Sequence, residues 1–262
     1  MQISLNTSKP KWYDRLWAAF IFFTRLPLWR IHQPPKEAYT SVVEFWPLAG
    51  WLTGGVMAGT LWIANRWFSI EISIIFAIIA RLLLTGALHE DGLADFLDGF
   101  GAGGDRERIL GIMKDSHIGT YGVLGLIFYY LIFYNILVRI SNDLYMMMFF
   151  MVAADSYSKM LAGQIVQFLP YARNEETAKS GVVYRKFSTP SVIFYFLQGI
   201  LPMLGILYLN NFFGWHTIIF GPCFTLFFLY YLMAHKIGGY TGDCCGALFL
   251  LCELTCYVMA IV

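Results

Sequence analysis

The sequence predicts an all-α protein, a polytopic integral membrane helical bundle of about seven transmembrane helices with an N-terminal interfacial helix, on three observations. Of its 262 residues, 58% are apolar and only 13% are charged, a balance far from that of soluble globular domains. Mean hydropathy is positive, at +0.60. Stretches free of formal charge run long enough to cross a hydrocarbon core of about 30 Å as helix.

In chain order, the first apolar stretch is "WYDRLWAAFIFFTRLPLW" at 12–29, with charges at 14, 15 and 25 and a late proline. That pattern suits a helix lying in the interface or half inserted, with an eighth span as the alternative. The polar residues before it, and the absence of a small-residue cleavage site after it, predict that no leader is removed. The first uncharged span is 45–65, followed by 71–88 with Arg81, an uncharged 118–138, and 144–168 with Asp155 and Lys159. The uncharged run 187–234 is two spans, because "LNNFFGW" at 209–215 supplies turn chemistry. The last span, 244–262, carries Glu253. No repeat, low-complexity tract or soluble module interrupts this pattern, so one membrane-embedded domain over 1–262 is expected. Four of the five cysteines, at 244, 245, 252 and 256, lie in that last apolar segment and the fifth is Cys223, which suits packing better than a disulfide, metal or redox site.

Lys and Arg place the loops, because they concentrate on the cytoplasmic side of short connections. Six lie in 1–41, three in 90–117, four in 169–186 and one at Lys236, whereas 66–70, 139–143 and 209–215 hold only Arg66 and Arg139. With seven spans the basic connections alternate, which sets the N-terminus in the cytoplasm and the C-terminus outside. The polar stretches at 89–117, 170–186 and 235–247 then share the cytoplasmic face. A net charge of +1, with no basic patch interleaved with aromatics, gives no argument for nucleic acid.

Seven of the seventeen acidic residues fall between 90 and 115. If 89–98 continues the preceding helix, Asp91, Asp95 and Asp98 in "HEDGLADFLDGF" form one stripe at i, i+4 and i+7. Like charges so spaced repel unless a cation or protons neutralise them. Mg²⁺ takes oxygen ligands and is usually shared between one or two carboxylates and substrate phosphates, which points to phosphoryl transfer. A solvated acidic helix end is the plainer alternative. Against it stand Gly92, Gly99 and "GFGAGG" at 99–104, where backbone can approach a ligand, although that run alone is a weak phosphate-loop signal.

Beyond it, Asp105 fits the cap of a short amphipathic helix ending near Lys114, with Lys114, Asp115, Ser116 and His117 clustered before the next span. Lys114 suits phosphate binding or helix anchoring, and His117 a hydrogen bond more than catalysis. In "GGYTGDCCGA" at 238–247, Thr241 or Asp243 suits a helix N-cap as well as it suits metal or substrate. Asp155 and Lys159, at i and i+4 inside a span, are functional candidates or a self-neutralising pair.

These stretches resemble the adenosylcobinamide-GDP ribazoletransferases, or cobalamin synthases. The resemblance rests on 86–126, "GALHEDGLADFLDGFGAGGDRERILGIMKDSHIGTYGVLGL", supported by "FFTRLPL" (22–28), "FWPLAGWLTGG" (45–55) and "GGYTGDCCGA" (238–247), in the family's order over nearly the whole chain. The section 140–235 matches loosely. The resemblance implies a multi-pass, Mg²⁺-dependent enzyme of the bacterial or archaeal cytoplasmic (inner) membrane, with its active face in the cytoplasm. It would join adenosylcobinamide-GDP to α-ribazole or its 5′-phosphate and release GMP. The bilayer and these substrates are the implied partners, a homo-oligomer is left open, and no nucleic acid is implied. By position, Glu90, Asp91, Asp95 and Asp98 match the family's acidic motif and are the expected metal and diphosphate site. Lys114, Asp115, Ser116, Thr241 and Asp243 match its other two motifs and are expected to bind substrate.

The stripe suggests a mechanism in which Mg²⁺ offsets charge on the departing GMP while a carboxylate, Asp95 or Asp98, accepts the proton of the attacking ribose hydroxyl. Attack would fall on the phosphorus nearer the cobinamide. Three rivals use related physics. A CDP-alcohol phosphotransferase expects an arginine where the sequence after Asp91-Gly92 reads Leu93, Ala94, Asp95, and a prenyltransferase expects two acidic helices where one is present. A cation transporter expects its acids inside spans, whereas these gather at one edge.

Overall fold

The seven apolar stretches fold as helices at their expected places in a computed structural model of the chain, which describes residues 10–173, 183–209 and 214–262. Parts of the loop expected at 170–186 and of the turn expected at 209–215 lie outside the described residues. Helix α1 (Trp12–Phe23) is followed by a 3-10 stretch over Lys36–Phe45, then α2 (Trp46–Ala64), α3 (Ile70–Thr85), α4 (Leu88–Ala102), α5 (Arg106–Ile112) and α6 (Thr120–Ile140). The second half holds α7 (Leu144–Gly163), a single turn α8 (Ile165–Phe168), α9 (Thr189–Leu209), α10 (Trp215–Lys236) and α11 (Gly242–Met259).

With 12 residues, α1 is about 18 Å long at 1.5 Å per residue, too short to cross the bilayer core. The eighth-span alternative is therefore set aside. Among the described residues, α6, α9, α10 and α11 are individually long and apolar enough to cross, and α3 with α4 makes a fifth if that bent pair is one span. Helices α2 and α7 have the length, at 19 and 20 residues, and stand outside that group. The reason is enclosure: 14 residues of α7 are buried inside the protein, so its surface is matched to other helices rather than to lipid. Its tightest partner is α2, where Gly50 and Gly54 let the backbones meet. A β-carbon at Gly50 would lie 2.7 Å from Ser156 Cα, and one at Gly54 would lie 2.8 Å from the Met151 carbonyl oxygen, the small-residue contact that membrane helices use where no hydrophobic force draws them together.

Charge is sealed into this central layer. Arg81 of α3 meets Glu253 of α11 at 2.5 Å and Asp155 of α7 at 3.9 Å, and Lys159 pairs with Asp155 one turn away. Thr53 of α2 accepts from Lys159 Nζ and donates to Asp155, each at 2.8 Å, while the Tyr129 hydroxyl of α6 donates to Glu253 at 3.1 Å. Two cations and two anions cancel, and five helices are tied at one point. Asp155 and Lys159 are thus part of a structural network, wider than the pair expected. The cysteines are all free, four of them buried, as packing residues would be.

The acidic stretch does not continue the preceding helix. Gly86 (φ +65°) and Ala87 (φ +57°) both take the left-handed conformation and close α3, the usual glycine stop followed by a second residue that carries strain. A β-carbon at Gly86 would strike the Arg25 side chain. Helix α4 then leaves at 88° to α3.

Candidate active site

Helix α4 packs against the first turns of α11 through two glycines: a β-carbon at Gly92 would lie 3.0 Å from the Asp243 carbonyl oxygen, and one at Gly246 would lie 3.1 Å from that of His89. This crossing brings Asp91 and Asp243, 152 positions apart in the chain, to one cavity of about 230 Å³. The remaining wall is largely aromatic, with Phe22 and Phe23 from the end of α1, Trp46 from α2, His89 from α4, and Tyr171 and Tyr184 from the two described ends of the 170–186 loop.

The stripe of aspartates is present on α4, but its members have different surroundings. Asp91 is exposed and borders the cavity, whereas Asp95 and Asp98 are buried. Asp98 accepts backbone N–H groups of Gly119 and Gly122 at 2.7 and 2.9 Å, so it caps α6 from a neighbouring helix, satisfying N–H groups that the helix itself leaves unpaired. Glu90 turns away from Asp91, since successive helical residues do not share a face. It accepts from the Tyr130 hydroxyl at 3.0 Å, and its second oxygen is buried without a partner.

Thr241 is the N-cap of α11, accepting from the Cys244 N–H at 3.3 Å. Asp243 stands 3.9 Å from Arg173. Lys114, Asp115 and Ser116 are exposed on the turn between α5 and α6, and they are absent from the cavity wall. They lie toward the Asp98 end of α4, about 10 Å of helix from Asp91 at 1.5 Å per residue. Asp115 accepts from both the backbone and the ring of His117, and the ring's hydrogen bond holds its carboxyl below the usual 3.8. His117 has the hydrogen-bonding role expected of it.

Arg173, Trp46, His89 and Tyr171 border or reach this site without having been singled out as ligands. Arg173 is placed by a long-range pairing. Ala172 N–H donates to the Tyr240 carbonyl at 2.8 Å, Tyr240 N–H donates to that of Pro170 at 3.0 Å, and Arg106 Nη2 holds the Ala172 carbonyl at 2.6 Å. The Arg173 side chain is almost fully buried, with Nη2 donating to the Leu110 carbonyl and Nη1 lacking a hydrogen-bond acceptor. Burial raises the Tyr171 hydroxyl above its ordinary pKa, so at neutral pH this wall adds no negative charge beside the carboxylates. The signals in the sequence were indirect: Trp46 and Phe22 stand in stretches that carried the resemblance, His89 opens the acidic motif, and Arg173 was one of several basic residues in a loop.

Among the described residues no group of three or more His, Cys, Asp or Glu is disposed to hold a metal ion. Two carboxylates from different helices facing one cavity are nonetheless an all-oxygen donor set. That fits Mg²⁺, which needs only one or two carboxylates when substrate phosphates and waters complete its shell; it does not fit a cage of protein ligands.

A family model described as Cobalamin-5-phosphate synthase matches residues 15–261. A relative from Shewanella oneidensis is 31% identical over 264 aligned positions, covering 99% of this chain and 98% of its own length. One from Shewanella woodyi is 33% identical over 241 positions, covering 91% of each chain. Both bear the name adenosylcobinamide-GDP ribazoletransferase. No solved structure matches. With nearly the whole chain matched, from α1 through the Asp91 and Asp243 motifs to the end of α11, this protein belongs to the cobalamin-5-phosphate synthase family.

Proposed function

We propose that the chain transfers the phosphocobinamide moiety of adenosylcobinamide-GDP to α-ribazole or its 5′-phosphate and releases GMP, at the cytoplasmic face of the inner membrane. Family membership supports the reaction class, and one observation carries the site: Asp91 and Asp243 meet at a single cavity with Arg173 beside Asp243. Asp91 and Asp243 would hold Mg²⁺, which when bound supplies positive charge against the diphosphate. Arg173 adds a fixed, buried cation for the departing phosphate of GMP. Asp95, one turn along the same face of α4 from Asp91, accepts the proton of the attacking ribose hydroxyl. The hydroxyl oxygen bonds to the phosphorus nearer the cobinamide, the bond from that phosphorus to the GMP oxygen breaks, and the electron pair leaves with GMP. Asp98 keeps α6 in place rather than entering the reaction. Lys114, Asp115 and Ser116, at the far end of α4, are placed to contact a substrate longer than the cavity.

Purified protein given adenosylcobinamide-GDP, α-ribazole and Mg²⁺ should release GMP, and chelation should stop it. Asp91→Asn and Asp243→Asn should each lower turnover on the order of 100-fold or more, the scale of losing one main electrostatic contributor. Their unfolding midpoints should stay close to that of the unaltered protein. Near-normal GMP release by both variants would remove Asp91 and Asp243 from the site.

A further inference from the structure

We infer that the aromatic cavity seats the benzimidazole base of α-ribazole, by stacking and by one hydrogen bond from Trp46 Nε1; this rests on the transferase reading above. The rings of Phe23, Trp46 and His89 lie nearly parallel, with interplanar angles of 9°, 14° and 16° and centroids 5.3 to 6.3 Å apart. Such a set of flat faces suits a planar heteroaromatic ligand. A cavity of about 230 Å³ is below the usual range for a drug-sized molecule, so it takes one part of a substrate and has no room for a corrin macrocycle.

A second observation is independent of the rings. Trp46 Nε1 and His89 Nε2, both on side chains at least 97% buried, have no hydrogen-bond partner. A buried indole N–H normally finds an acceptor, as Trp51 does with the Gln198 carbonyl at 2.7 Å. Trp46 is therefore the exception, and it lines the cavity.

The chemistry of the bases decides between the substrates. A benzimidazole nucleoside has one free polar atom on its base, an sp² nitrogen that only accepts, and an indole N–H only donates. The rest of that base is aromatic carbon and methyl, which match Phe22, Phe23 and Val43. Guanine carries several donors and acceptors on its edge, and most would be stranded against the same apolar wall. With the benzimidazole seated, the ribose lies toward the Asp91 and Asp243 side of the same cavity, which sets the attacking hydroxyl beside the carboxylates.

The full-length protein in lipid nanodiscs is tested by equilibrium dialysis with radiolabelled α-ribazole and, separately, radiolabelled GMP. Trp46→Phe keeps a ring and removes the donor; α-ribazole should bind about tenfold more weakly and GMP should bind as before. Gly242 also lines the cavity, and a β-carbon there meets no atom within 4 Å. Gly242→Leu should therefore fill the space and abolish α-ribazole binding, and it decides the matter alone if Trp46→Phe does not yield folded protein. Unchanged α-ribazole affinity in the variants overturns the inference, and so does weakening that falls on GMP instead. A wild-type protein that binds α-ribazole but releases no GMP from adenosylcobinamide-GDP would break the transferase reading and leave the base seat standing.

Discussion

Two parts of this molecule concentrate ionisable side chains, and they are built on opposite rules. In the central layer, Arg81, Lys159, Asp155 and Glu253 are fully enclosed and their charges cancel. At the crossing of α4 and α11, Asp91 is exposed and borders a cavity, and Asp243 lines the same cavity beside Arg173. Ions removed from solvent must be balanced by their neighbours, because desolvating each one costs several kcal/mol. An acid exposed at a cavity, as Asp91 is, stays open to solvent and to an incoming ligand. Access, more than acidity, separates the enclosed structural cluster from the candidate site.

The largest way to break this comparison is to unbalance the closed network. Arg81→Met leaves Glu253 buried without its main partner and should cost about 3–5 kcal/mol, read as a large drop in the SDS fraction needed to unfold the protein in mixed micelles. Adding Glu253→Met should recover much of that loss, since Asp155 and Lys159 still neutralise each other. A single variant as stable as the parent would show that the network does not hold the helices. The active-site variants contrast with this, since Asp91→Asn and Asp243→Asn should cost activity and little stability.

Asp98 sharpens the comparison from between the two regions, being acidic by motif and structural by contact. Asp98→Ala removes the acceptor for two N–H groups of α6 and should cost about 1 kcal/mol, measured by the same unfolding assay. No loss of stability would reopen its place in the chemistry. The smallest effect belongs to Asp115. Its folded carboxyl titrates below 3.8 because of His117, so any stabilisation is present above that pH and is lost as pH falls through the lower, folded value. The pair is exposed and screened, so Asp115→Asn at pH 7 should leave the unfolding midpoint unchanged. A clear shift would place that turn in the folded core.

Much of the architecture was legible because helix-forming apolar runs are local. Residues 45–65, 118–138 and 144–168 fold within a few positions of α2, α6 and α7. The 88° turn was missed because a charge pattern at i, i+4 and i+7 reads the same whether or not the helix began one residue earlier. Hydropathy alone also does not distinguish a helix wrapped by lipid from one wrapped by other helices, and α7 is largely enclosed, with 14 residues buried. Of the residues lining the cavity, Asp91 and Asp243 stand in motifs visible in the local sequence. Arg173 and Trp46 were not singled out, since their importance comes from neighbours more than a hundred residues away or on other helices.

By itself the sequence determined that this chain is a membrane bundle, that its acids gather in one stretch, and which family that stretch resembles, because composition and short-range spacing are written along the chain. Only the tertiary structure decided which acids share a cavity. Helix α4 turns through 88° and meets α11 at Gly92 and Gly246, so Asp91 and Asp243 line one cavity while Asp98 is taken up as a cap and Glu90 turns inward. A side chain's direction depends on the packing of its helix against others, and no local pattern encodes that.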